Sequence, residues 1–250
     1  MSTSEPKGDI VTKPPALYPD SSKSLIGQHG IVLIPTTKSH IPGLFKSVCG
    51  PKNDNLWTYM TSGPHRTLEV FSTHITALLN NPDWFIYTIF PSSSSSSNEA
   101  TSETPLGLTS YLAIVPSHLS IEIGHVLYSP LLQRTPASTE ATFLLMRYAF
   151  EELGYVRVVW KANSWNEGSR RAARRLGFVE EGTFRKHLVM KGRRRDSVWF
   201  SCIDDEWFLQ GKGGVKAGLE GWLEKSNFDE EGKQIRKLED IRKGLEEVEA

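Results

Sequence analysis

WKANSWNEGSRRAARRLGFVEEGTFRKHLVMKGRRRDSVWFSCIDDEW, residues 160–207, holds the signals that decide how this chain folds. The apolar run 156–160 that leads into it reads as a strand, and 163–166 as a polar corner. A helix follows: Asn166 caps it, and Ser169 stands three residues on to bond back. Ala172, Ala173 and Leu176 form an apolar stripe, and Gly177 supplies the left-handed stop. Phe178 opens a second extended stretch, and Lys191-Gly192 makes a hairpin turn. Residues 197–203 then alternate Val198, Phe200 and Cys202 against Ser197, Trp199 and Ser201, as a paired strand does. The local order is strand, helix, hairpin.

Within this order stand Asn166, Ser169, Leu176-Gly177-Phe178, Glu181-Gly182, Gly192 and Arg195-Asp196. The set resembles the GCN5-related N-acetyltransferase (GNAT) superfamily, in the branch of the ribosomal-protein N-terminal acetyltransferases. There N-x-x-S-x-x-x-x-x-x-L-G-F precedes E-G and G-x-x-R-D. The likeness extends upstream to Leu56-Trp57-Thr58-Tyr59-Met60 and Gly63-Pro64, so it covers the chain from Gly30 to Trp207.

Outward from the deciding stretch, 31–34 reads as a strand, 38–48 as a short helix interrupted early by Pro42, and 67–79 as a helix with Leu68, Phe71, Ile75, Leu78 and Leu79 inward. Residues 83–90, 106–115 and 118–128 read as strands. In the last of these, Leu119, Ile121, Ile123, His125 and Leu127 share one face, and Glu122, Gly124, Val126 and Tyr128 the other. Residues 139–153 make a helix apolar nearly all round, expected between layers. The fold class is α/β (α+β). A single domain is expected, with a mixed, mostly antiparallel sheet of about six or seven strands, helices on both sides, and a splay between the fourth and fifth strands.

Three appendages are expected. Residues 1–28, with four prolines, suit a flexible arm. The serine run in 91–104 reads as a loop that lengthens a hairpin within the domain at 29–210. Residues 211–250 form a charged, partly helical extension, much of whose tail lacks an apolar face.

With 29 Lys+Arg against 29 Asp+Glu the chain is formally neutral, so no bulk field draws it to nucleic acid or a membrane. Its 250 residues, 38% hydrophobic with seven Trp, can bury a sizeable core. Cys49 and Cys202 match no zinc or redox spacing and point to a reducing compartment. No secretory leader or run of about 18 apolar residues is present, so a cytoplasmic or nuclear protein is expected. Monomer and homodimer are both open.

The resemblance implies acetyl-CoA as cosubstrate, no metal, and direct attack of an amine on the thioester. The family's Q/R-x-x-G-x-G/A loop opens the central helix and holds the coenzyme's pyrophosphate on backbone amides. Here that place reads Gln133-Arg134-Thr135-Pro136-Ala137-Ser138, with both glycines replaced. Thr135 can cap, Pro136 suits the first helical position, and the amides of Ala137, Ser138 and Thr139 are expected free, beside the Arg134 cation. By the same resemblance, backbone near Leu127 and Tyr128 stabilises the oxyanion, Asn166 fixes the pantetheine arm, and Ser169 protonates the departing thiolate.

Glu122, on a central strand opposite its apolar neighbours, is the candidate base. His125 reads as a satisfied core histidine. His187 and Asp196 are reserves for the base and candidates for substrate contact, with Asp196 expected to pair with Arg195 or to bind substrate. Trp57 and Tyr59 are expected over the acceptor pocket. Arg170, Arg171, Arg174 and Arg175 on one helix face, and Arg193 to Arg195 after the hairpin turn, read as solvated faces, or as holders of the coenzyme's 3′-phosphate or of an anionic substrate. The expected function is N-acetyl transfer to a small-molecule amine or a protein N-terminus. The alternative, favoured by the replaced glycines, is an acyl-CoA-binding or interaction protein of weak or no activity on the same fold.

Overall fold

The computed structural model of the protein describes residues 8, 10–92, 104–209 and 214–247. Its frame is one eight-stranded sheet. The strands are β1 (Leu25–Ile26), β2 (Ile31–Pro35), β3 (Trp84–Pro91), β4 (Gly107–Val115), β5 (Ser120–Tyr128), β6 (Arg157–Asn163), β7 (Val179–Met190) and β8 (Arg193–Ile203). They lie in the order β1-β2-β3-β4-β5-β6-β8-β7, with every neighbouring pair antiparallel except β5 and β6.

The strand beyond the expected count is β1, which falls in the stretch read as an arm. Leu25 is buried in the main core and its strand pairs with β2. Just upstream the backbone is also tied down, the Ala16 N–H donating to the Pro116 carbonyl and the Leu17 N–H to that of Leu153. The serine run lies almost wholly outside the described residues. The strands on either side of it, β3 and β4, are antiparallel neighbours.

Two apolar layers sandwich the sheet. On one face α1 (Ile41–Val48) and α2 (Leu68–Leu79) bury Leu44, Val48, Phe71 and Ile75 against Ile86, Leu108 and Leu127. Pro42 sits in the first turn of α1, where its missing N–H costs nothing, so it starts the helix instead of interrupting it. On the other face lie α3 (Pro136–Arg147), which continues through a π-turn at Tyr148–Glu152, and α4 (Glu167–Leu176). α3 is buried nearly all round, as its composition requires.

The C-terminal part shares this second layer. α5 (Asp204–Trp207), α6 (Val215–Leu223) and α7 (Leu238–Glu247) contribute Trp207, Val215, Leu219, Trp222, Leu238 and Ile241 to the main core. Although much of the tail looked polar, Leu238 and Ile241 give α7 a buried edge. Gly177 marks the junction: its φ is +100°, and a Cβ there would stand 2.8 Å from both Val215 γ-carbons.

The feature that positions the site is a gap in the sheet. β5 and β6 pair through Ser120↔Arg157, Ile121↔Val158 and Glu122↔Val159, and then part. β5 runs on to Tyr128 and β6 to Asn163 without pairing, so the β6-facing edge of β5 has no strand partner beyond Glu122.

Candidate active site

The gap opens into a cavity of about 830 Å³. The start of α3 stands at one end, the first turns of α4 along one side, and the loop at residues 55–61 with β7 and β8 at the other.

At the start of α3, Thr135 is the N-cap and Pro136 the first helical residue. The Thr135 hydroxyl accepts from the Ser138 N–H at 3.3 Å. The Ser138 amide is therefore taken, contrary to expectation, and its hydroxyl donates to the Thr135 carbonyl at 2.7 Å. The Ala137 amide has no acceptor among the described residues. The two glycine positions of the motif are Pro136 and Ser138, both within the first turn of α3, and Arg134 before them takes the left-handed φ of +63°. Gln133 donates to the Tyr128 carbonyl at 2.8 Å and ties the loop to the end of β5. Thr139 is drawn toward α4, its hydroxyl accepting from Arg175 at 2.9 Å. The Arg175 guanidinium lies 4.4 Å over the Trp222 ring, which anchors it from α6.

At the start of α4, Asn166 caps as expected, its side-chain oxygen accepting from the Ser169 N–H at 3.1 Å. Ser169 does not bond back. The Asn166 N–H instead goes to the Asn163 carbonyl at 2.8 Å, and the Ser169 hydroxyl accepts from the Trp160 indole N–H at 2.9 Å. With its oxygen already receiving a proton, Ser169 has its own hydroxyl hydrogen to give, and it borders the cavity. Arg170 and Arg174 pair with Glu167 and Glu180. Arg171 and Arg175 border the cavity.

In the gap, Glu122 is 6% exposed and its Oε2 lies 2.6 Å from the Lys161 ammonium, which rests 3.9 Å over the Trp199 ring. Burial raises the Glu122 carboxyl above its ordinary value, against the opposing pull of Lys161 and Arg195. Leu127 and Tyr128 border the cavity, and their backbone lies on the unpaired stretch.

His125 departs from its expected role. Pairing between β4 and β5 shifts between Leu108/Leu127 and Ser110/Gly124, so His125 and Val126 oppose Thr109 alone, and His125 takes φ +48°. The bulge turns His125 out of line with Ile123 and onto the cavity wall, with its Nε2 lacking a partner among the described residues. Its ring meets His74 at 5.8 Å, and the His74 ring stacks on His65 at 4.7 Å. Burial, reinforced by the neighbouring imidazoles, holds His74 down at about 4 and His125 at about 3.

At the acceptor end Tyr59 borders the cavity, but Trp57 does not. Trp57 is wholly buried, its indole donating to the Val48 carbonyl at 2.7 Å, and it braces the loop from within the α1–α2 layer. His187 borders the cavity, its Nδ1 3.0 Å from the Ser197 hydroxyl. Asp196 points the other way. Arg194, not Arg195, pairs with it through two bonds of 2.9 Å, and with the Lys186 N–H this holds its carboxyl down at about 2.

Strand parity explains the exchange. Ser197 and Trp199 share a face, and two residues back on that face is Arg195. The apolar run ends at Trp160, whereas β6 continues to Asn163 and so carries Lys161 to the cavity.

The acetyltransferase (GNAT) domain family matches residues 31–179. A GCN5-related N-acetyltransferase from Brucella melitensis superposes with a TM-score of 0.82 at 33% identity, covering 93% of this chain and 99% of that one. A probable acetyltransferase of the GNAT family from Chromobacterium violaceum gives 0.74 at 34% identity, over 84% of this chain and all (100%) of that one. Among curated relatives, "Putative ribosomal N-acetyltransferase YdaF" of Bacillus subtilis is 44% identical over 69 residues, 28% of this chain. The chain spans 38% of YdaF's length and 40%, 50% and 55% of three further curated relatives.

Proposed function

The chain belongs to the GNAT acetyltransferase family, and on that footing we propose that it transfers an acetyl group from acetyl-CoA to a primary amine. The observation that carries this reading is the parting of β5 and β6 after Glu122 beside a capped helix start. A thioester arm needs a slot with unpaired backbone amides, and a diphosphate needs a helix N-terminus. Both adjoin one cavity here.

The residues present fit that cosubstrate. The Ala137 amide, Ser138, Thr139 and the Arg134 side chain stand where the pyrophosphate is expected, with Gln133 fixing the loop that presents them. Asn166 has its side-chain amide nitrogen to offer the pantetheine. Leu127 and Tyr128 supply backbone for the developing oxyanion.

Glu122 takes the amine's proton through Oε1, since Oε2 is held by Lys161, and Ser169 gives its hydroxyl proton to the departing thiolate. Trp160 has a defined part in this: its indole N–H on the Ser169 oxygen fixes which way the serine can donate. Tyr59 and His187 border the acceptor's side. The acceptor is a protein N-terminus or a small-molecule amine; the name YdaF carries, a ribosomal N-acetyltransferase, favours the first.

Free-thiol release from acetyl-CoA over a panel of peptides and small amines tests the reading. Turnover with at least one amine is expected, falling by about 10²-fold in Ser169→Ala. Binding of acetyl-CoA without turnover on any member would favour a non-catalytic acyl-CoA-binding role. Turnover in Ser169→Ala within about twofold of wild type would leave Ser169 no part in proton transfer.

A further inference from the structure

We propose that the acceptor amine carries a carboxylate, and that Arg195 is the residue that receives it. The inference rests on the acetyltransferase reading of the same cavity and names the class of amine it takes.

β6 and β8 bring two cations, Lys161 and Arg195, to the cavity, and β5 brings one carboxylate, Glu122. Lys161 is already committed, 2.6 Å from Glu122 and 3.9 Å over Trp199. Arg195 has no ion pair among the described residues. Its sequence neighbour Asp196, the obvious partner, is on the opposite face and bound by Arg194. Among the described residues, the only bond the Arg195 side chain makes is from Nε to the Ser197 hydroxyl, at 3.1 Å. Neither terminal nitrogen finds an acceptor among the described residues, so the donating edge of the guanidinium is left for something else.

That edge is held in place. The Ser197 oxygen accepts from Arg195 Nε and lies 3.0 Å from His187 Nδ1 on its other side. Ser197 itself is fully buried. The chain His187–Ser197–Arg195 thus presets one guanidinium before any ligand arrives, and a preset fork suits a planar carboxylate. Burial depresses the Arg195 guanidinium from its ordinary value, a cost that an incoming anion relieves.

The charge balance favours a monoanion. At the β5, β6 and β8 wall, once Glu122 and Lys161 neutralise each other, Arg195 adds one positive charge beside a buried carboxylate, while Arg134, Arg171 and Arg175 border the cavity from the α3 and α4 side. Tyr59, Met60, Trp84 and Leu112 line other parts of the cavity and suit the apolar body between amine and carboxylate.

The test compares matched acceptors by kcat/KM for thiol release. One arm uses C-terminally amidated peptides with Glu or Gln at the second position; the other uses ω-amino acids and their amides. The acid is expected to exceed its amide by about tenfold or more in one arm, which identifies the source as peptide or small molecule. Arg195→Gln should abolish that preference, read as the ratio of kcat/KM for acid and amide within the variant. Arg195→Lys, which keeps charge but loses the fork, should restore part of it. Equal rates for acid and amide in both arms, or a preference that survives Arg195→Gln, would overturn the proposal. Titration of the same acids and amides into protein saturated with CoA reads the preference without chemistry. Absence of turnover therefore sinks only the acetyltransferase reading, whereas equal affinities sink this one.

Discussion

Glu122 has one carboxylate oxygen committed to Lys161 and sits in a site that disfavours its charge. Those two facts set its behaviour. Burial raises the carboxyl, so the ionised, proton-accepting form is reached at higher pH than for a free glutamate. The acidic limb of the kcat/KM profile is accordingly expected above the ordinary carboxylate value, and Glu122→Gln should remove it with a large fall in rate. An unchanged limb in that variant would pass the base role to another group. Glu122→Gln also leaves the Lys161 ammonium, 21% exposed, without its counter-charge, so a lowered Tm is expected beside the kinetic effect. Lys161→Met in the same background should recover part of the Tm but none of the rate. That pattern separates a proton carrier from a structural ion pair.

At the scale of elements, one extra residue in β5 does the most to shape the site. The bulge opposite Thr109 brings His125 to the cavity and into the stack with His74 and His65, where α2 and the loop at residues 55–66 meet the sheet. The His74 Nε2 is 3.0 Å from the Ser62 hydroxyl, and Trp84 meets the His125 ring edge-on at 5.3 Å. Folded, His74 and His125 titrate near 4 and 3; unfolded, near 6.5. Below pH 6.5 the unfolded chain therefore binds protons that the folded one refuses. Stability is full above that pH and falls as pH drops from there toward 4. The loss at pH 5 is on the order of 1–2 kcal/mol per histidine after allowing for residual solvent. Melting of the wild type between pH 7 and 5 should show it, and His74→Gln should flatten the slope. Identical slopes in the two proteins would contradict this account of the stack. None of it was legible from periodicity, because a bulge keeps the residue types of a strand while breaking the alternation by which faces are assigned. The α4 signals, in contrast, lie within one turn of each helix end, so Asn166 and Gly177 could be read directly as its cap and its stop.

At the scale of the molecule, most strands and helices were legible because buried runs leave local marks, while the gap was expected from the family resemblance. What the sequence concealed depends on contacts across long separations. Trp57 looked like a pocket wall until Val48 and Phe71 closed around it. The C-terminal extension looked polar until Val215, Trp222 and Leu238 entered the core and Trp222 took up Arg175. Among the described residues no helix is long and apolar enough to cross a membrane. The most direct test of the whole account is a crystal structure of the protein grown with excess CoA. The pantetheine should lie between β5 and β6 beyond Glu122 and Val159, with the diphosphate at Ala137–Thr139. A coenzyme bound elsewhere, or a gap filled by the protein's own side chains, would contradict it.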